Sequence, residues 1–250
     1  MQQLNLELIA ARLESFEETI ISLLLDRAQY YSNTIIYQVG KSGFSGENEH
    51  SLFDIRLRNQ ENMDSVFGRF CVPEERPFTS NLQPPKRTVT ITKNDLHIDD
   101  YNMISVTDDI LSSYLKLIPK LCRDGDDLQY GSCVEIDVYA IQAIARRIHF
   151  GALYVGESKY RSNQQSFISL IEKQDTKTIL DLITRKEIED RIVERIILKT
   201  NSVQQTANRL VRHTVDPEII AGFYRDIIIP LTKKGEILYL MNRNKNQNEF

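Results

Sequence analysis

The stretch 139–160 decides most of what this chain can become. Read as a helix, it presents Ala140, Ile141, Ile144, Ala145, Ile148, Phe150, Ala152, Leu153 and Val155 on nearly every side. A helix with no polar face runs through a protein interior. Yet this one carries Arg147 and Lys159. Buried cations are costly unless an anion meets them. The plain explanation is a pair of internal salt bridges. The functional one is an anionic ligand. Both stand open on this stretch alone.

The rest of the chain reads as helix too. Gly and Pro are scarce, at 10 and 7 of 250 residues, and charged residues make up 26%, a mix that suits an all-α protein. No Pro/Gly/Ser-rich linker interrupts residues 1–250, so one domain is expected. A net charge of −4 argues against a nucleic-acid surface. No apolar run approaches the ~20 residues of a membrane span. The first seven residues lack the basic start and apolar core of a signal peptide. Cys71, Cys122 and Cys133 have no zinc spacing and leave one unpaired, so they read as reduced packing residues of a cytoplasmic protein.

In chain order, the apolar period at Leu6, Ile9, Leu13, Phe16, Ile20, Leu23 and Leu24 predicts a helix over 4–31. Residues 32–50 are a loop. A second helix spans 51–70, and Pro73 and Pro77 forbid its continuation. Residues 79–101 are irregular; 87–92 alternates like a strand but has no partner, which favours an extended loop. A helix over 103–122 ends in the acidic turn Asp124-Gly125-Asp126-Asp127. That turn lacks the order of a calcium loop and reads as solvated. The central helix follows, from about 130 to 160. Short helices are expected at 163–173 and 176–183, a strong one at 185–200, and another at 203–212. Asp216-Pro217 starts a helix running to 229, and Pro230 opens the last one. Residues 242–250 are polar and expected to fray. The total is a helical bundle of about ten to twelve helices around a long central one.

Several stretches resemble one family. Arg146-Arg147-Ile148-His149-Phe150-Gly151, followed by Tyr154-Val155-Gly156-Glu157-Ser158-Lys159-Tyr160, resembles the long central helix of the eukaryotic-type chorismate mutases. Glu17 to Ile21, Asp26 to Tyr30 and Val72 to Phe78 match the family too. So do Tyr130-Gly131-Ser132 after the acidic turn, Ile188-Glu189-Asp190, and Pro230-Leu231-Thr232-Lys233 with Glu236. The resemblance covers about 6–241, with 79–101 its main gap.

It implies an isomerase that rearranges chorismate, a dicarboxylate, to prephenate. The reaction requires no nucleophile, metal or cofactor. On the family's pattern Arg147 binds a substrate carboxylate through its planar fork. Lys159 donates to the ether oxygen, and a protonated Glu236 donates from the other side. Glu189 accepts from the ring hydroxyl, and Thr232 lines the carboxylate end.

The chain departs from that pattern at three places. Ala10 stands where the family's first helix carries a carboxylate-binding Arg, and Arg12 is turned ~200° away from it. Arg185 stands in place of an Asn; it either restores the missing cation or is a surface residue at a helix start. Arg147 and Lys159 are twelve apart where the family has eleven. The extra residue turns Lys159 by ~100° unless a bulge absorbs it, for which Gly151 and Gly156 leave room. Ala10 and Arg185 also keep two other readings open: a relative acting on a different substrate, and a non-catalytic interaction protein that keeps the fold. The family implies a homodimer with an effector site for tyrosine or tryptophan at its interface. Arg69, Gly131 and Ser132 match that site, while Gly68 replaces a usual Arg and Glu135 a usual Thr.

Overall fold

The computed structural model describes residues 5–91 and 93–244, and these are all-helical with no strand. Eight continuous helices appear among them. They are α1 (Leu6–Arg27), α2 (Leu52–Val66), α3 (Thr107–Leu121), α4 (130–162), α5 (Gln164–Glu172), α6 (Thr176–Ile183), α7 (Lys186–Gln205) and α8 (217–241). Residues 87–91 form no strand, as the missing partner implied; Thr92 and the tail beyond 244 lie outside the described residues.

Four of these eight helices start on a local side-chain cap. The Asn5 side chain accepts from the Glu7 and Leu8 amides. Ser51 and Asp54 form a capping box, and Asp175 and Asp216 cap α6 and α8. Each such cap is worth roughly 1 kcal/mol. His149 of α4 organises a start from a distance: its Nε2 accepts the Val106 amide at the head of α3, 3.1 Å away. Burial pushes the His149 imidazole down to about 3, so it is neutral and suited to accept.

The count is lower than ten to twelve for two physical reasons. First, 203–212 is not a helix. Val203 to Gln205 finish α7, and 206–212 are turns. The Asn208 side chain takes the Leu210 amide at 3.1 Å, a local bond that competes with the helical ladder. Gln204 and Gln29 then hold the backbone of Val215 and His213 in pairs of hydrogen bonds. Second, the two helices expected on either side of Pro230 are one rod. A π turn, Tyr224–Ile228, joins Pro217–Phe223 to Ile229–Met241. Proline has no N–H and its ring crowds the preceding turn. The wider π turn just ahead of Pro230 takes up that misfit.

Helix α4 runs through the middle against α1, α2, α3 and α8. Its N-terminal half packs in the main core with Ile20, Leu24, Tyr114, Ile141 and Ile144. Its end joins a second apolar cluster with Leu153, Tyr160, Phe167, Ile179 and Tyr239. One charged knot crosses the main core. Arg27 and Asp137 are both fully buried and meet at 2.7 Å, and Tyr37 and Tyr114 also donate to Asp137. Cys122 and Cys133 are buried beside it, taking hydrogen bonds from Arg27 and Asn33. The acidic turn is exposed at Asp124, Gly125 and Asp126, as expected of a solvated turn, while Asp127 turns inward to receive the Tyr31 amide and the Asn33 side chain.

Candidate active site

Arg147 and Lys159 would not share a face in a regular α-helix. Twelve residues turn the chain through ~120° beyond full turns, against ~20° for eleven. Helix α4 solves this with a π turn at Gly151–Val155, between Tyr130–Phe150 and Gly156–Ser162. A π turn absorbs one residue. The bulge lies where Gly151 and Gly156 leave room for it, and both cations reach the same helix. Arg147 Nη1 donates to Thr232 Oγ1 at 2.8 Å, and Lys159 Nζ donates to Glu236 Oε2 at 2.7 Å. Thr232 and Glu236 are one turn apart on α8.

The helices cross closely here. A Cβ on Gly151 would lie 2.7 Å from Thr232 Cγ2, and one on Gly235 would lie 2.6 Å from Ala152 Cβ. Only glycine allows either contact. Helix α8 repeats the device of α4. Tyr224 and Thr232 are eight apart, ~80° around a regular helix; with one residue absorbed they fall within ~20°. Both face the same guanidinium, with the Tyr224 ring 5.8 Å from Arg147 Cζ.

The electrostatics of the two cations differ. Lys159 is tied twice, to Glu236 and to the Ile183 carbonyl at the end of α6, 2.8 Å away. Arg147 is 3% exposed, and among the described residues no carboxylate lies within ion-pair distance of it. Its Nε has no partner, and neither does the buried Tyr224 hydroxyl. Burial lowers the Arg147 pKa, opposed by Tyr224 and Glu17. Arginine starts so high that it stays charged regardless. Glu236 is 3% exposed, and burial raises its pKa against the pull of Lys159, Lys233 and Arg147. The internal salt bridges expected of a purely structural pair are thus half present: Lys159 has one and Arg147 has none.

Around this centre, Glu17 is buried and gripped by Arg195 at 2.7 and 2.9 Å, with Lys199 at 3.3 Å. Glu189 of α7 is paired with Lys233 of α8, at 2.9 and 3.1 Å from its two oxygens. Ala10 is exposed on α1, one turn before Leu13, whose side chain packs toward Gly151. Arg185 is exposed just before α7, and its side chain makes no ion pair or hydrogen bond among the described residues. Arg146, the first Arg of the motif, turns away and pairs with Glu75.

The structure therefore brings Arg147, Thr232, Lys159 and Glu236 together, with Glu189 held to the adjoining Lys233. It does not bring Arg69 to Gly131 and Ser132. Arg69 bonds Asp64, Glu75 and Gln142. Gln142 is ten residues up α4 from Ser132, about 15 Å. The sequence motif contains Lys233 but gives it no role, and nothing in the sequence singles out Tyr224 or Arg195. Lys233 lies ~100° from Thr232 by helical arithmetic, and the register of Tyr224 depends on a π turn. Among the described residues no three of His, Cys, Asp and Glu are grouped to hold a metal ion, and no helix is long and apolar enough to cross a membrane.

No protein-family model matches the chain. It is 34% identical over 248 residues to a chorismate mutase of Schizosaccharomyces pombe, covering 97% of each chain. Its fold is similar to the Aro7p chorismate mutase of Candida albicans in complex with L-Trp. That match has a TM-score of 0.89 and 33% identity, and covers 98% of this chain and 94% of the other. The chloroplast chorismate mutase of Zea mays superposes with a TM-score of 0.86 at 28% identity, covering 96% and 95% of the two chains.

Proposed function

The chain belongs to the chorismate mutase family of fungi and plants, and on that premise we propose how its residues rearrange chorismate to prephenate. The reaction is a unimolecular [3,3] shift within a dianion. The enzyme must hold the substrate compact and meet the charge growing on the breaking ether oxygen. Arg147 binds one carboxylate through its fork, with Thr232 beside it. Lys159 donates to the ether oxygen. Glu236, protonated, donates from the opposite side. Glu189 accepts from the ring hydroxyl. One observation carries this reading: Arg147 is a buried cation with an unpartnered donor and, among the described residues, no carboxylate, and the Thr232 it bonds lies one helical turn from the Glu236 of an ordered Lys–Glu pair. Chorismate added to the pure protein should lose its absorbance with saturation kinetics and no added cofactor. A rate no greater than that of chorismate in buffer would sink the proposal.

The role of Glu236 sets a pH dependence. Its pKa is raised by burial, so the carboxyl keeps its proton to higher pH than an ordinary glutamate. Two substrate carboxylates nearby push it further up. Activity should be full below the raised pKa and fall as pH rises through it. Glu236→Gln keeps a neutral donor and should flatten the fall. The check is the pH profile of kcat for both proteins, and identical profiles would exclude the role.

We also read the chain as one domain that acts as a cytoplasmic homodimer. A dimer is supported by the distance between Arg69 and the Gly131–Ser132 turn, which could share a ligand only across two copies. Regulation through that site should be weak. Gly68 has φ +83°, and a Cβ there would meet Val89 at 2.6 Å, so the position cannot take the usual Arg without strain. Arg69 is already neutralised by Asp64 and Glu75, and Glu135 adds an anion. Saturating tyrosine or tryptophan should change the initial rate less than twofold, roughly 0.4 kcal/mol of coupling. A clear sigmoidal response to either would overturn this.

A further inference from the structure

A dianion needs two cations, and Arg147 supplies one. Lys159 is bound to Glu236 and a carbonyl and serves the ether oxygen. The remaining basic residues near the site are Arg12, Arg185, Arg195 and Lys233. Arg12 and Arg185 are exposed, and among the described residues neither side chain makes a hydrogen bond or an ion pair. Arg195 holds the fully buried Glu17 with two hydrogen bonds. Releasing that carboxylate would strand a buried charge, which is strongly unfavourable. Lys233 is different. It follows Thr232 directly and acts on the Glu236 carboxyl alongside Arg147. Its partner Glu189 and its own side chain remain 25% and 18% exposed. A partly solvated ion pair is weak, and a lysine stem is flexible, so this pair exchanges partners at little cost.

We propose that Lys233 is the second carboxylate-binding cation of this site, released from Glu189 as the dianion enters. The inference rests on the chorismate reading above and extends it to a residue to which the family resemblance assigns no role. It also balances charge. Arg147, Lys159 and Lys233 face Glu189 and Glu236; with Glu236 protonated the excess is two positive charges, equal and opposite to the substrate. Glu189, freed from Lys233, is then available to the ring hydroxyl.

The test is steady-state kinetics with chorismate on variants shown to be folded by circular dichroism and melting. Lys233→Met should lower kcat/KM by tenfold or more, mainly through KM, because the contact forms in the ground state as well. Lys233→Arg should keep at least a third of the activity. Ala10→Arg, placed in Lys233→Met from the α1 wall, should recover at least threefold. Two results would overturn the proposal while leaving the chorismate reading intact. One is Lys233→Met within threefold of the wild type while Arg147→Met is severely impaired. The other is a Glu189→Gln, Lys233→Met double variant no worse than Glu189→Gln alone, which would make Lys233 only a positioner of Glu189. Failure of Ala10→Arg to recover any activity in a folded protein would also count against it. A wild type with no turnover would remove both this inference and the reading beneath it.

Discussion

Arg147→Met should abolish useful turnover and leave the protein at least as stable as before. The two halves of that expectation have one cause. A buried guanidinium without a carboxylate partner costs desolvation energy that the free protein does not recover. Methionine fills much the same volume without that cost. The losses are one hydrogen bond to Thr232 and the contact with the Tyr224 ring. The substrate complex loses a fork of two charge-assisted hydrogen bonds, each worth about 1.5–3 kcal/mol. Together they correspond to a fall in kcat/KM of roughly 10²- to 10⁴-fold. Arg27→Met is the contrasting control. Arg27 is equally buried but paired with Asp137, so its removal strands a carboxylate and should cost about 3–5 kcal/mol of stability. Melting curves and chorismate kinetics on both variants separate the cases. If Arg147→Met melts well below the wild type, Arg147 is a structural residue and the functional reading loses its main support.

That contrast shows what the sequence could and could not reveal. A long apolar helix with two cations pointed to an interior polar site before any fold was known. Periodicity put helix starts near Ser51 and 176, and the Asp216-Pro217 cap signal put another at Asp216, as found. Arg27 and Arg147 nevertheless look alike in sequence, since each follows an apolar helical run. Only the fold tells that Asp137, 110 residues away, meets one of them and that, among the described residues, no carboxylate meets the other. The pairing of Glu189 with Lys233 was hidden for the same reason: it joins two helices 44 residues apart in the chain. The false helix at 203–212 failed on shorter range. Its composition permits a helix, but Asn208 offers the backbone a competing local bond, and side-chain amides of Gln29 and Gln204 secure the segment that follows.

The extra residue between Arg147 and Lys159 yields the other large effect. Inserting one alanine after Val155 should abolish turnover, whereas deleting Val155 should leave activity within about tenfold of the wild type. The π turn Gly151–Val155 already carries one surplus residue. Removing Val155, which is half-buried and aliphatic, lets the turn revert to α-helix. Arg147 and Lys159 then stand eleven apart, ~20° from alignment, and both still face Thr232 and Glu236. A further residue has no second bulge to enter. It turns everything after it by ~100°. Lys159 leaves Glu236, and Glu157 leaves the Arg243 and Tyr239 side chains at the end of the facing helix. Two buried carboxyl groups lose their cross-helix partners at once, so the insertion should also lower the melting temperature. The deletion is the sharper test, because mere damage to the helix predicts loss in both variants. A folded deletion variant without activity would mean that the wide turn itself shapes the pocket. Retained activity would mean that its role is register alone, holding Lys159 opposite Glu236 despite a chain one residue too long.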